Sequence, residues 1–234
     1  MTNNNPPFKK PSKKHKPYGL TVLYEDRDII VVNKINGLLT VSTDKEKSKT
    51  AFSLLNDYVR KGNSRSKNRV YIVHRLDRDT SGILVFAKSE TAKYFLQENW
   101  KDFNKIYYAV VHGTLAEKQG IIESYLMENK AHKVYSTKDE TKGKLSKTGF
   151  KVIKGNKNLS LLEIELFTGR KNQIRAHLSE KGHPVIGDKA YGPGDNAKQL
   201  ALHAAKLTIA HPYSKKEMTF ETEFPIYFKT LVRI

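Results

Sequence analysis

Apolar and polar residues along the chain follow two spacings, one typical of β-strands and one typical of amphipathic helices. Residues 20–34 predict two strands joined at the polar residues 25–28, and the second strand is almost continuously apolar. Residues 50–61 predict a helix that ends before Gly62. The apolar face of this helix consists of Phe52, Leu55 and Val59.

The rest of the chain continues with more strands than helices. Further strands are predicted at residues 70–73, 83–87, 105–112, 159–167, 200–210 and 218–224. Helices are predicted at residues 172–181 and at residues 89–100, where the candidates for burial are Tyr94, Phe95 and Trp100. Residues 128–149 are polar and Lys-rich, which is typical of a flexible hairpin or a long loop. This order predicts an α+β fold with a mostly antiparallel, mixed sheet and flanking helices.

The charge of the chain narrows the class of partner. Lys and Arg total 42 against 24 Asp and Glu, which gives a formal net charge of +18. Such a charge favours a polyanion such as nucleic acid, because each phosphate contact releases condensed counterions. Residues 1–19 contain several Lys, Asn and Pro and no acidic residue, so they predict a disordered basic arm.

Three absences from the sequence limit the alternatives. The chain has no Cys, which excludes disulfides, thiolate catalysis and Cys-based zinc sites. It has no long apolar run that would predict a membrane helix. The N-terminal residues lack the apolar centre of a secretory signal. We therefore expect a cytoplasmic location.

A charged cluster lies between two apolar strands in VYIVHRLDRDTSGILVF, residues 70–86. A carboxylate at Asp77, flanked by Arg75 and Arg78, can be desolvated and still remain ionised, as a nucleophile or general base requires. Asp79 precedes Thr-Ser-Gly and fits a turn-capping role. These residues alone leave open whether Asp77 is catalytic or structural. The HRLD string superficially resembles the HRD of a protein-kinase catalytic loop, but the Gly-rich loop, the loop Asn and DFG are missing here.

Two other segments could contribute chemistry. FTGRKNQIRAHL, residues 167–178, places Arg170 and Lys171 at the start of a predicted helix, where anions bind. KIYYAVVHG, residues 105–113, predicts a strand with Tyr107 and Tyr108 on opposite faces. One of the two rings can therefore be buried while the other faces a cleft and stacks on a base.

HRLDRDTSGILVFAKS, KIYYAVVHG and TGRKNQIRAHL, in this order, closely resemble the signature segments of the RluA-type pseudouridine synthases. The stretches VVNKINGLL, GHPVIGDKAYG and LHAAKLTIAHP add to the resemblance, which covers roughly residues 20–225. It implies isomerisation of specific uridines in ribosomal or transfer RNA to pseudouridine, with no cofactor or metal. It also implies one pseudouridine-synthase-like catalytic domain over residues 20–234, with no separate N-terminal RNA-binding domain. We expect a monomer.

The resemblance also implies roles for individual residues. Asp77 matches the catalytic Asp, which either attacks C1′ or removes the 2′-proton, and Arg175 matches its basic partner. Tyr107 matches the aromatic residue that stacks on the target base and serves in proton transfer at C5. Arg75 matches the side chain that fills the gap left by a flipped base. The other residues expected to bind RNA are His74, Arg78, Lys105, Arg170, Lys171 and Asn172.

The sequence departs from the family pattern at two positions and leaves an alternative function open. Asn172 stands where the third motif usually has His, and Ile35 stands where Pro is common. The alternative is a catalytically idle RNA-binding protein or RNA chaperone on the same fold. Retention of Asp77, Tyr107 and Arg175 favours the enzyme. A nuclease or glycosidase is disfavoured, because neighbouring Asp residues in a tight turn rarely face each other across a substrate.

Removal of residues 1–17 tests the basic arm. We expect weaker RNA binding and a shallower dependence of affinity on salt, because five Lys side chains are lost from phosphate contact. The modified uridine should not change. Binding titrations at several salt concentrations, together with mapping of the modified site, measure both effects. A different target uridine after truncation would show instead that the arm determines specificity.

Overall fold

The computed structural model describes residues 16–43, 46 and 48–233. The basic arm predicted for residues 1–19 lies largely outside this part. The strands are β1 Leu20–Glu25, β2 Ile29–Lys34, β3 Tyr71–Ile72, β4 Ser81–Ala87, β5 Asn104–His112, β6 Gln119–Glu128, β7 Val134–Thr137, β8 Lys144–Gly155, β9 Leu159–Leu166, β10 Leu202–Ala210 and β11 Glu217–Glu221. The helices are α1 Ala51–Arg60, α2 Glu90–Glu98, α3 Gln173–Glu180 and α4 Ile226–Val232. Across the described residues, none of the helices is long and apolar enough to cross a membrane.

The chain groups into two compact units. The first contains the residues up to Phe103 together with Lys206–Thr222. The second contains Asn104–Ala205 and the residues from Glu223 onward. The expectation of one catalytic domain over residues 20–234 stays a prediction.

The first unit is built around β4, whose seven residues are all buried. This strand pairs antiparallel with β2, and β2 pairs antiparallel with β1. The short β3 also pairs with β4, and residues 206–210 of β10 form a hairpin with β11. Because both faces of β4 are covered, its sequence is a continuous apolar run rather than an alternating one.

The second unit is an antiparallel sheet in the order β5-β9-β8-β6-β7. Along β9, the apolar residues Leu162, Ile164 and Leu166 are buried while Glu163 and Glu165 are partly exposed. This alternation is typical of a half-buried strand, and the core of the unit also receives side chains from α3 and α4. The helical contributions to that core include Ile174, Leu178 and Phe228.

The α+β fold with a mostly antiparallel sheet is confirmed, and so are the first three helices. Ser89 caps α2 as its position predicts, with its Oγ accepting from the N–H of Ala92 at 3.1 Å. The burial predicted for Tyr94 is wrong, since this ring is 54% exposed and Leu96 is buried in its place. The buried residues of α2 are Ala92 and Leu96, while the other two candidates, Phe95 and Trp100, are partly buried against the same core.

Two regions differ from the sequence-based prediction. Residues 128–149 include β7 and the start of β8, so the hairpin alternative is correct and the loop alternative is wrong. The strands there pair through the backbone and carry polar side chains on an exposed face, which removes the apolar signal. Helix α4 was not predicted, because seven residues are too few to establish a helical period.

Substitution of Phe228 tests the packing of α4. This ring is fully buried and lies against Phe224 with a centroid separation of 6.1 Å. We expect Phe228→Ala to lower the free energy of unfolding by about 3–5 kcal/mol, measured by urea denaturation. Ile226 in the same helix is 78% exposed, so Ile226→Ala is the matched control and should cost less than about 0.5 kcal/mol. Similar losses in both variants would contradict the described packing.

Candidate active site

Asp77 lies half-buried in the bend between β3 and β4, and we name residues 74–80 the Asp77 loop. Leu76 and Thr80 are buried on either side of it and anchor the loop in the first unit. The N–H of Thr80 donates to the carbonyl of Asp77 at 3.2 Å and closes the turn. The exposed side chains of the loop are Arg75, Arg78 and Asp79.

Residues 35–40, which we name the support loop, hold the backbone on both sides of Asp77. The hydroxyl of Thr40 donates to the carbonyl of Leu76 at 2.7 Å and accepts from its N–H at 3.2 Å. On the other side, the N–H of Gly37 donates to the carbonyl of Arg78 at 3.0 Å. The Nε of Arg78 donates back to the carbonyl of Gly37 at 3.2 Å. The backbone position of Asp77 is therefore fixed through both of its neighbours.

A buried cation lies beneath these two loops. Lys34, the last residue of β2, is fully buried, and its Nζ donates to three carbonyls at 2.8–3.1 Å. The acceptors are Ile35, Leu38 and Arg78. Burial lowers the pKa of Lys34 to about 8, although the carboxylates of Asp79 and Asp77 act in the opposite direction. The same attraction favours the ionised form of Asp77, which is the form that a nucleophile or base requires.

Tyr107 and Tyr108 lie on opposite faces of β5, as the alternation predicts. Tyr107 is half-buried against the core of the second unit, the core to which α3 also contributes. Tyr108 faces the other side, where its hydroxyl donates to Glu163 at 3.1 Å and its ring contacts Phe224 edge-on. Tyr107 lies opposite Ile164, on the same face as Leu166 and its partner Thr148, and Thr148 accepts from Gln173 of α3, so Tyr107 shares the sheet face on which α3 packs.

Arg175 on α3 is held by a buried carboxylate. Its Nε and Nη2 donate to the two oxygens of Asp188, each at 2.7 Å, and its Nη1 donates to the Oδ1 of Asn172 at 2.9 Å. The Asp188 side chain is 0% exposed and that of Arg175 is 12% exposed. The ring of Tyr191 lies 5.1 Å from the guanidinium carbon. The expected pairing of Arg175 with Asp77 stays a prediction.

The family described as "RNA pseudouridylate synthase" matches this chain over residues 28–180. The chain belongs to this family. The matched range contains Asp77, Tyr107 and Arg175, and the family predicted from the three signature segments is confirmed. The protein is an RNA pseudouridine synthase, and therefore an isomerase.

Curated relatives align over most of this synthase. A Bacillus subtilis (strain 168) protein described as "Uncharacterized RNA pseudouridine synthase YhcT" is 36% identical over 222 residues. That alignment covers 92% of this chain and 72% of the relative. The "Ribosomal large subunit pseudouridine synthase D" of Borreliella burgdorferi is 32% identical over 220 residues, covering 89% of this chain and 66% of the relative.

Solved structures share the fold of the synthase. "Human RNA Pseudouridylate Synthase Domain Containing 4" superposes with a TM-score of 0.76 at 19% identity, covering 91% of this chain and 92% of that chain. "Human RNA Pseudouridylate Synthase Domain Containing 1" has a TM-score of 0.69 at 26% identity, covering 92% and 86%. The first likeness, at its low identity, concerns the fold alone.

His74 has a structural role in the synthase that does not depend on its expected contact with RNA. Its ring stacks on Trp100, with centroids 4.1 Å apart, and its Nε2 accepts from the N–H of Val85 at 3.2 Å. A nitrogen that accepts cannot carry a proton, so this interaction requires the neutral ring with its hydrogen on Nδ1. His74 thereby helps to hold the start of the Asp77 loop against β4.

The residues expected to bind RNA differ in accessibility. Arg170 and Lys171 are exposed before α3, although Lys171 already pairs with Glu128 at 2.5 Å. Asn172 is half-buried, and its side chain accepts from Arg175. Lys105 is only 5% exposed, which leaves it little surface for a phosphate. The exposed members of the set are therefore the better phosphate ligands.

Several residues of the candidate site did not emerge from the sequence. Lys34 ends an almost continuous apolar run, and a charged residue at such a position is a signal that could have identified it. Thr40 directly follows VVNKINGLL and Asp188 lies in GHPVIGDKAYG, two stretches that contributed to the family resemblance, but no motif marks either residue individually. Their roles depend on partners distant in the sequence, since Thr40 bonds Leu76 and Asp188 bonds Arg175.

A separate group of possible metal ligands occurs at Asp26, Asp28 and His211, with ligand atoms within 4.8 Å of one another. The Oδ1 of Asp26 accepts from the N–H groups of Asp28 and Ile29 at 2.8 Å, and His211 contacts its Oδ2 at 2.8 Å. Burial alone would raise the pKa of Asp26, but these backbone hydrogen bonds keep it below its ordinary value. The group forms a hydrogen-bonded network that joins the β1–β2 turn to the residues after β10.

The pH dependence of stability tests the buried state of Lys34. Its pKa is about 8 in the folded protein against an ordinary value of 10.5, so between these values the unfolded chain binds more protons. The free energy of unfolding of the wild type should therefore rise relative to Lys34→Met by up to about 3 kcal/mol from pH 8 to 10.5. Urea denaturation of both proteins measures it. The difference should be flat below pH 8, and a flat or falling difference above pH 8 would contradict the assignment.

Proposed function

We propose that this synthase converts specific uridines in structured RNA to pseudouridine, with Asp77 as the catalytic carboxylate. The arrangement around Asp77 carries this proposal. The carboxylate is half-buried, its neighbours Leu76 and Arg78 are bonded to the support loop, and the Lys34 cation lies nearby. A fixed carboxylate with a buried counter-charge remains ionised and keeps its orientation during the reaction.

The reaction requires little more than such a carboxylate and a proton acceptor. The bond between C1′ and N1 breaks, the base rotates, and a bond between C1′ and C5 forms. The hydrogen on C5 is lost and N1 gains one, so the atoms balance. Asp77 either attacks C1′ and forms a covalent intermediate or removes the 2′-proton to give a glycal. Both routes begin from the ionised carboxylate.

Tyr107 and Arg175 complete the proposed catalytic set. Tyr107 is half-buried on the sheet face that receives α3, which leaves part of its ring to stack on the target base and to assist proton transfer at C5. Arg175 supplies a guanidinium whose orientation is fixed by Asp188 and Asn172. A charged group held in one orientation stabilises developing charge without the cost of reorganisation.

RNA binding is proposed to include flipping of the target base, which costs a few kcal/mol. Arg75 is exposed on the Asp77 loop and is the candidate to fill the space left by that base. Phosphate contacts from exposed cations would offset the cost, and the net charge of +18 supports them. These cations are Arg78, Arg170 and Lys171.

Ribosomal RNA is the favoured substrate, with transfer RNA as the other possibility. The support comes from the name of the Borreliella burgdorferi relative, which is described as acting on the large ribosomal subunit. We further propose that the synthase acts as a monomer in the cytoplasm. Pseudouridine mapping in total RNA from a deletion strain and its parent tests the function. Loss of one or more sites in the deletion strain is expected, and identical maps would contradict the proposal.

The substitution Asp77→Asn tests the catalytic carboxylate. We expect the rate of pseudouridine formation to fall on the order of 10⁴-fold, because a neutral amide neither attacks C1′ nor accepts the 2′-proton. RNA affinity should be nearly unchanged. Tritium release from RNA labelled with [5-³H]uridine measures the reaction, since C5 loses its hydrogen.

The matched control is Asp79→Asn in the same loop. Asp79 is exposed and is proposed neither to attack C1′ nor to accept the 2′-proton, so this variant should retain most of the activity although it removes one of the carboxylates that act on Lys34. Near-full activity of Asp77→Asn would refute the catalytic assignment. Loss of activity in both variants to the same extent would show that the loop as a whole, and not one carboxylate, is required.

A further inference from the structure

Asp188 is a completely buried carboxylate that contacts Arg175, a member of the proposed catalytic set. Its side chain is 0% exposed and accepts four N–H groups. Two come from Arg175, at 2.7 Å each, and two come from the backbone of Ala190 and Tyr191, at 2.9 and 3.0 Å. Three of the four donors reach Oδ1 and the Nε of Arg175 reaches Oδ2, so both oxygens of Asp188 are engaged.

The segment that carries Asp188 is rigid. Gly187 precedes it with a φ of +77°, and a Cβ there would approach the carbonyl oxygen of Gln199 to 2.2 Å. Only glycine fits such a position. The N–H of Asp188 donates to the carbonyl of Val185 at 3.2 Å, and its own carbonyl accepts from Gly192 at 2.9 Å. The carboxylate is therefore presented to Arg175 from a backbone that is fixed before any substrate binds.

The geometry of the contact determines the orientation of the guanidinium. The Nε and Nη2 of Arg175 form one edge of a planar group, and both donate to Asp188 in a bidentate arrangement. The Oδ1 of Asn172 accepts from Nη1, and the ring of Tyr191 lies near the guanidinium carbon. Rotation of the guanidinium about its long axis would break the paired hydrogen bonds, so the plane has one orientation.

We infer that Asp188 is a positioning residue that fixes the guanidinium of Arg175 for catalysis. This inference rests on the proposed function, in which Arg175 takes part in the reaction. Asp188 itself acts through Arg175 and touches no reacting atom. A displacement of about 1 Å in a catalytic group costs roughly 100-fold in rate, so loss of this contact should act on the chemical step.

Asp188→Asn separates the contact with Arg175 from the support of the turn. An Asn oxygen in the Oδ1 position can still accept from Ala190, Tyr191 and the Nη2 of Arg175, whereas its NH₂ group in the Oδ2 position faces the Nε–H of Arg175 and breaks the bidentate pairing. We expect the single-turnover rate with enzyme in excess to fall about 100-fold. The enzyme concentration at half-maximal rate should change little. The assay is tritium release from total RNA of the deletion strain, labelled with [5-³H]uridine. Asp188→Glu keeps the charge and should recover part of the rate.

Asp195→Asn is the matched control. Asp195 also accepts backbone N–H groups in this segment, from Gly187 and Ala197, but its side-chain partner is His112. The same change there disturbs the segment without removing the partner of Arg175, so the single-turnover rate should stay close to that of the wild type. A fall equal to that of Asp188→Asn would mean that disorder of the segment explains both, and would overturn the inference.

A double-mutant cycle with Arg175→Lys distinguishes an effect that passes through Arg175 from a purely structural effect of Asp188. If Asp188 acts through Arg175, then Asp188→Asn should change the rate of the Arg175→Lys enzyme by less than about threefold. Losses that multiply in the double variant would overturn the inference. If Asp188→Asn does not fold, as judged by circular dichroism, Asp188→Glu is carried through the same cycle with the same criteria.

The outcomes distinguish this inference from the proposed function. A wild-type enzyme that releases no tritium would overturn the proposed function, and this inference with it. An active wild type with an equally fast Arg175→Lys would remove Arg175 from the catalytic set and overturn the inference. A slow Arg175→Lys together with a normal Asp188→Asn would overturn the inference alone.

Discussion

A buried ammonium group costs several kcal/mol in lost hydration, and the three backbone carbonyls to which Lys34 donates offset part of this cost. Two of these carbonyls belong to the support loop and one belongs to Arg78 in the Asp77 loop. The cation thus joins the support loop to the loop that carries the proposed catalytic Asp77. Removal of its charge would take one donor from each of these carbonyls and one favourable charge from Asp77, so Lys34 contributes both to the position of the loops and to the ionisation of Asp77.

The second unit uses the same arrangement with the signs reversed. Asp188 is a wholly buried anion that supports a partly exposed cation, Arg175, as Lys34 is a wholly buried cation beside a half-buried anion, Asp77. In each case the inner group is held by several hydrogen bonds and the outer group is the one proposed to act. In water, the solvent dipoles around a charge would have to reorient during the reaction. A charge paired with a buried partner is already oriented, which is the main advantage of a preorganised site.

Much of the fold follows from local pattern, while the supporting charges do not. Strands such as β2, β4 and β9 carry apolar runs or alternation that identify them directly, and Ser89 identifies the start of α2. The strands β6 to β8 were obscured by polar side chains on their exposed face, and α4 was too short to show a period. Asp77, Tyr107 and Arg175 came from the family resemblance. Lys34 and Asp188 required the structure, because burial of a charge depends on which distant backbone groups surround it.

The charges of the synthase fall into two classes that respond differently to their surroundings. Exposed residues such as Arg75 and Arg170 contribute to a positive field that salt screens over about 8–10 Å. Lys34 and Asp188 are enclosed by protein, where mobile ions do not enter and screening is weak. Salt therefore acts mainly on how tightly RNA binds, while the orientation and ionisation of the proposed catalytic groups depend on hydrogen bonds that salt does not reach. The large net charge and the chemistry thus rest on separate sets of residues, which allows RNA affinity to vary without loss of the reaction.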